Sequence, residues 1–203
     1  MKIKKYNEPW THLIIDDFID DDSFKNLQNN FEDIHRLKGE SNRMRVVYPL
    51  ESLPLDISDS APSRSKKNRT LVNTISKSVI RIWEDYYHDI NHGVDESNLA
   101  SQMIYECLRT HPFDEGYRST HTDSEHKLMS VIYYVSTHGV GTTLCKRETE
   151  DEIYIDYPIE WKPNRAVVFV RKRMIAGGTW HYIHNDIPHM RHTMNFSIFM
   201  KKD

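Results

Sequence analysis

The chain has 203 residues, 38% of them hydrophobic, with 27 Lys+Arg against 30 Asp+Glu and a net charge of −3. Four Trp, eleven Tyr and seven Phe supply enough apolar bulk for a packed interior, which excludes global disorder. The near-balanced charge gives no electrostatic case for nucleic acid or an anionic membrane, and no run approaches the ~20 apolar residues that span a bilayer. The length suits one domain over residues 1–203, with 1–98 packing as a strand and helices on a core at 99–203. Met1 to Trp10 is charged and polar, without the apolar segment of a secretory leader. Cys107 and Cys145, the only cysteines, lie in apolar strand-like stretches and read as buried thiols of a reducing compartment. The expectation is a soluble, intracellular, cytoplasmic protein.

Trp10 to Ile19 opens the chain with an apolar run that predicts a strand. Asp20, Asp21 and Asp22 then supply a cap and negative charge for a helix over 22–36, whose apolar residues Phe24, Leu27, Phe31 and Ile34 recur every three or four positions. Leu37 to Tyr48 is basic and mixed. The Pro/Ser-rich stretch Leu53 to Lys67 lacks periodicity and predicts a mobile loop that proteases should cut first. Thr70 to Ile90 is the longest helical pattern, with Leu71, Ile75, Val79, Ile82, Trp83 and Tyr86 on one face and His92-Gly93 as its stop.

From residue 99 onward the pattern is strands. They are predicted at Gln102 to Arg109, Tyr117 to Asp123, Leu128 to Val135, Gly139 to Cys145, Glu152 to Tyr157, Ala166 to Val170, Thr179 to Ile183 and Met194 to Met200. His111 to Gly116 reads as a turn. Gly139 and Gly141 have strand-like flanks and no following helix, so they read as places of a bulge or of close backbone approach, not as a phosphate loop. Eight strands behind two helices point to a mainly β fold, a double-stranded β-helix (jelly roll, cupin-like) with a helical buttress.

The chemistry concentrates around residue 121. His121 and Asp123 are two apart, and on a strand such residues leave the same face together with Tyr117 and Ser119. Two histidines and a carboxylate make the facial triad of non-haem Fe(II) sites, so a distal histidine is needed. His181, His184, His189 and His192 are the candidates. His181 sits on a strand pattern with Arg191 ten residues on, whereas His184 begins a loop; His189 and His192 read as peripheral, and His126 and His138 as loop residues. In the last strand Arg191, Thr193, Asn195 and Ser197 share one parity and Met194, Phe196, Ile198 and Met200 the other. That is a polar pocket face backed by an apolar one. An arginine in such a pocket calls for an anion. Arg165, after Pro163-Asn164, reads more simply as part of a turn.

His121-Thr122-Asp123, the apolar strand Lys127 to Val135, Pro163 to Phe169, His181 and Arg191 together resemble the Fe(II)/2-oxoglutarate-dependent oxygenases, in their prolyl-4-hydroxylase-like branch. The resemblance covers residues 100–200, with Trp10 to Ile19 similar to the N-terminal strand of small members. It implies His121, Asp123 and His181 as iron ligands and Arg191 as the clamp on the far carboxylate of 2-oxoglutarate, with Thr193 beside it. Tyr117 shares the ligand face. His111 stands where this branch often has a tyrosine that binds 2-oxoglutarate, and an imidazole can also donate. The cofactors implied are Fe(II), 2-oxoglutarate and O2, with ascorbate as an optional reductant. The implied activity is hydroxylation of a C–H bond, with release of succinate and CO2. Asp123 favours hydroxylation, because halogenating members carry a small residue there. A peptidyl proline or another amino-acid-like molecule is the substrate expected, with no nucleic acid or membrane partner. Two alternatives remain at this point: a non-catalytic jelly-roll binding module, and a cupin-type metalloenzyme that does not use 2-oxoglutarate. The charged loop Lys146 to Glu152 reads as a solvated turn.

Overall fold

The computed structural model describes residues 1–35, 43–50, 66–93, 95–110, 120–147, 154–171, 178–183 and 190–200. Two antiparallel sheets face each other. The larger is built from β1 (Lys2–Tyr6), β2 (His12–Asp16), β3 (Arg43–Pro49), β4 (Ala100–Thr110), β5 (Lys127–Tyr134), β8 (Ala166–Val170) and β10 (Arg191–Met200). Their spatial order is β1-β2-β8-β5-β10-β4-β3. The smaller sheet runs β7-β6-β9, from Tyr154–Pro158, Thr142–Arg147 and Trp180–Ile183. Two helices, α1 (Asp21–His35) and α2 (Lys66–Ile90), cover the outer face of the larger sheet.

Alternation along the strands divides the interior into two cores. Leu13 and Ile15 of β2, Val131 and Tyr133 of β5, Val168 of β8, and Met194, Phe196 and Ile198 of β10 turn toward the helices. There they meet Phe24, Leu27 and Phe31 of α1 and Leu71, Ile75, Val79 and Ile82 of α2, the apolar stripes expected. The opposite parity, Ile132, Tyr134, Val167 and Phe169, packs between the sheets with Trp10, Leu144 and Ile159. One face therefore packs a broad apolar core against the helices, and the other mixes aromatic rings with polar groups.

Local chemistry fixes the joints. Asp20 caps α1 by accepting the Ser23 amide at 2.8 Å. His92 and Gly93 end α2 with φ of 57° and 79°, the left-handed pair anticipated. Asn164, at φ 62°, ties the β2–α1 corner to the sheet. Its side chain accepts from the Ile19 amide (3.1 Å) and the Tyr133 hydroxyl (2.8 Å), and donates to the Ile19 carbonyl (2.8 Å). Gly141 lies so close to β7's exit that a Cβ would fall 1.7 Å from the Ile159 carbonyl oxygen, and at Gly139 it would meet the Trp161 ring. Both glycines thus serve close approach, as expected.

Several boundaries differ from the sequence expectation. The first apolar run forms only a five-residue strand, because Phe18 and Ile19 are drawn into the corner held by Asn164. Ten strands form among the described residues, against nine expected with Trp10 to Ile19 included: β1 and β3 are additional edge strands whose Lys and Arg residues hide the alternation, and the strand expected at 117–123 is not among the ten. β10 starts three residues earlier than expected, at Arg191. The helix expected from Thr70 begins at Lys66, so Lys66 and Lys67 are not loop, while residues 53–65 of that expected loop lie outside the described residues. So does most of the Lys146 to Glu152 loop. Cys107 and Cys145 are free and buried, and burial pushes the Cys145 thiol up to about 12. No helix among the described residues is long and apolar enough to cross a membrane.

Candidate metal centre

His121, Asp123 and His181 place one ligand atom each within 4.8 Å of one another. The strand expected at 117–123 is not what joins them. Residues 111–119, with His111 and Tyr117, lie outside the described residues, as do His184 and His189. His121 makes a single bridge to β9, its amide donating to the His181 carbonyl (3.1 Å) and the His181 amide to its own (2.9 Å). That bridge sets the two imidazoles 4.5 Å apart, centroid to centroid. Asp123 lies beyond it in irregular backbone. Gly178, at φ 63°, admits this close approach, since a Cβ there would stand 2.9 Å from the Thr122 methyl.

Each donor is oriented by a neighbour. The Asp123 carboxylate accepts from the Lys127 ammonium at 2.6 Å and from the Ser130 hydroxyl. Burial alone would raise its pKa, but Lys127, His181 and Ser130 outweigh that and hold it below the usual carboxylate range. His181 Nδ1 lies 3.0 Å from the Thr179 carbonyl. A carbonyl can only accept, so Nδ1 carries the proton and Nε2 keeps its lone pair. Burial pushes this imidazole down to about 4, so it is neutral at physiological pH. A neutral imidazole with a fixed tautomer, a second histidine and an ionised carboxylate form a donor set that fits a divalent first-row metal.

The three residues open on a cavity of about 240 Å³ between the sheets. Arg191 lines the same cavity and is 1% exposed. Its Nε donates to the Val140 carbonyl at 3.0 Å, and its guanidinium lies 5.7 Å from the Tyr134 ring centroid and 5.5 Å from that of Trp161. The groups around it in these contacts are neutral, so a carboxylate entering the cavity would meet a guanidinium already held in place. Thr193, two residues on, is fully buried, and its hydroxyl has no hydrogen-bond partner among the described residues. Arg165 does different work: it forms a forked pair with Asp16 at 2.7 and 3.2 Å and joins the β8 turn to β2. His192 stacks on Phe31 of α1, on the helix side, and His138 is exposed.

Four contributors to the cavity escaped the sequence reading. Lys127 and Ser130 flank Asp123, and Glu106 and Thr142 line the walls. A serine inside LMSVIYYV and a glutamate inside QMIYECLR, both on the parity of cavity-facing residues, were the available signals.

No protein-family profile matches the sequence, and no curated protein matches it in sequence. Solved structures do match in shape. The dioxygenase for auxin oxidation 1 from Arabidopsis thaliana, in its 2-oxoglutarate complex, gives a TM-score of 0.66 at 12% identity over 97% of this chain and 86% of that one. The viral collagen prolyl hydroxylase of Paramecium bursaria Chlorella virus-1 gives 0.57 at 14% identity over 100% and 96%. A prolyl-4-hydroxylase from Pseudomonas putida gives 0.54 at 12% over 94% and 93%. The chain therefore shares its fold with these dioxygenase and prolyl hydroxylase structures, in keeping with the jelly roll and helical buttress expected from the pattern of strands and helices.

Proposed function

We propose that this protein is an Fe(II)- and 2-oxoglutarate-dependent dioxygenase that hydroxylates a C–H bond of an amino-acid-like substrate, such as a peptidyl proline, and releases succinate and CO2. One observation carries the proposal: a His–Asp–His donor set and a buried, pre-positioned arginine share a single cavity. In this account His121, Asp123 and His181 hold the iron. Iron bound there would supply the one-electron chemistry with O2 and 2-oxoglutarate that no protein side chain offers.

The side chains contribute position and charge. Lys127 and Ser130 fix the carboxylate plane of Asp123, and the Thr179 carbonyl fixes the His181 ring. Arg191 takes the far carboxylate of 2-oxoglutarate, with the Thr193 hydroxyl as an added donor. Tyr134 is held by donation from the Thr142 amide (2.8 Å) and stacks on Trp161 at 4.4 Å. The two rings pack against the Arg191 guanidinium and shield it from water, which strengthens the pair. Leu108, Ile132 and Phe169 add apolar surface to the wall. The test is aerobic turnover: protein given Fe(II) should convert 2-oxoglutarate to succinate, and Asp123→Ala should abolish it. Undiminished succinate production by the variant overturns the ligand assignment.

A further inference from the structure

Resting on the reading just given, we infer that Trp10 and Tyr6 form a one-electron path that carries an oxidising equivalent away from the metal site to the protein surface. Ring contacts in series join the two ends. His181, one of the proposed iron ligands, lies 5.0 Å from Phe169, centroid to centroid. Phe169 meets Trp10 edge-on at 5.2 Å, Trp10 meets His12 at 5.7 Å, and His12 stacks on Tyr6 at 5.3 Å with the planes 12° apart. Each separation is that of rings in direct contact. Phe169 lines the cavity, Trp10 and His12 are buried, and Tyr6 on the edge strand β1 is 41% exposed. The series therefore starts at the site, crosses the core between the sheets and ends in solvent.

The order of the rings suits that task. Indole and phenol give up an electron more readily than the benzene ring of phenylalanine or a neutral imidazole, which here serve as bridges. The Trp10 Nε1–H donates to the Cys145 carbonyl at 3.1 Å, a bond that strengthens when the indole turns positive. Burial lowers the His12 pKa, so the imidazole whose Nδ1 lies 2.8 Å from the Trp10 carbonyl is neutral and sets no cation against the indole. Tyr134 and Trp161 are placed otherwise. The Arg191 guanidinium lies 5.7 and 5.5 Å from their ring centroids, and its charge opposes the loss of an electron there. In the step itself Tyr6 gives one electron, which passes by way of His12, Trp10 and Phe169 to a one-electron oxidant left at the metal site when O2 is reduced without substrate. The phenol proton passes to water, and a phenoxyl radical remains on Tyr6. A one-electron reductant of the ascorbate class then restores the phenol, with a proton from water. The path spares the metal ligands and the cavity wall from oxidation.

The experiment is freeze-quench electron paramagnetic resonance of protein loaded with Fe(II) and 2-oxoglutarate and mixed with O2 in the absence of substrate, with succinate measured in the same samples. Ring-deuterated tyrosine in the protein separates tyrosyl from tryptophanyl signals by their hyperfine pattern. The parent should show a tyrosyl radical that added ascorbate removes. Tyr6→Phe should abolish that signal, and so should Trp10→Phe, each while the succinate formed in the first turnover stays at the parental level, which shows the variant to be folded with its site intact. If Trp10→Phe does not fold, Tyr6→Phe, a conservative change at an exposed position, decides alone. Succinate without a tyrosyl radical in the parent, or a tyrosyl signal that survives either substitution, overturns the path and leaves the proposed function standing. Parent protein that forms no succinate overturns the proposed function, and this inference with it.

Discussion

Replacing Arg191 with methionine separates what the arginine does for the fold from what it does for a ligand. The guanidinium is buried, and its recorded contacts are the Val140 carbonyl, the Thr142 hydroxyl at 3.5 Å and two aromatic faces. Removing it loses about 1 kcal/mol for the hydrogen bond and about 1–2 kcal/mol for the ring contacts, but also removes a buried charge whose desolvation costs several kcal/mol. In the ligand-free variant these contributions oppose one another. Binding behaves differently. The far carboxylate of 2-oxoglutarate would be buried without its charged partner, a loss of about 3–5 kcal/mol, or roughly two to four orders of magnitude in Kd. At 2-oxoglutarate one hundred times its parental Kd, linkage stabilises the parent by about 2.7 kcal/mol, which for a chain of this size raises Tm by roughly 5–11 °C. Thermal unfolding with Mn(II), with and without 2-oxoglutarate, should show that rise in the parent and almost none in the variant. A variant that keeps the full ligand-induced rise refutes the clamp.

Three further outcomes follow from the same contacts. Arg165→Met should destabilise by about 2–3 kcal/mol, since Lys162 remains 3.1 Å from Asp16 to share the burden, while leaving 2-oxoglutarate affinity unchanged; a fall in that affinity would make Arg165 part of the pocket. Gly141→Ala forces a methyl against the Ile159 carbonyl and should cost about 3 kcal/mol in urea unfolding, and it should also weaken 2-oxoglutarate binding through the neighbouring Val140 and Thr142; a neutral result contradicts the packing. Metal-free protein should lose stability as pH falls from 6.5 toward 4. His181, neutral when folded down to about 4, and His12, also lowered by burial, take up protons more readily in the unfolded chain. Between pH 7 and 5 the His181 contribution alone is about 2 kcal/mol, and a flat profile over that range excludes a buried neutral imidazole.

Periodicity carried most of the fold. The stripes of α1 and α2 follow the helical period and β8 is apolar throughout, and packing had only to confirm them. Edge strands were lost because a lysine-rich strand such as KIKKY protects the sheet edge with the same charges that erase its alternation. At the site, Arg191 was legible because polar and apolar residues alternate from 193 to 198 and Arg191 falls on the polar parity. The placement of His181 beside His121 was legible from spacing, but the way they meet was not. A single backbone bridge made possible by Gly178, with Asp123 turned in by Lys127 and Ser130, depends on contacts between segments far apart in sequence. Glu106 went unnoticed for the same reason, since its partner Asn195 is set by strand register and not by local pattern.

The most direct measurement is a crystal structure of the protein grown anaerobically with Fe(II) and 2-oxoglutarate, with anomalous scattering collected at the iron edge. The account predicts one anomalous peak bonded by His121, Asp123 and the Nε2 of His181, with the far carboxylate of 2-oxoglutarate on the Arg191 guanidinium. A peak held by other residues, or a 2-oxoglutarate carboxylate that rests away from Arg191, would contradict it.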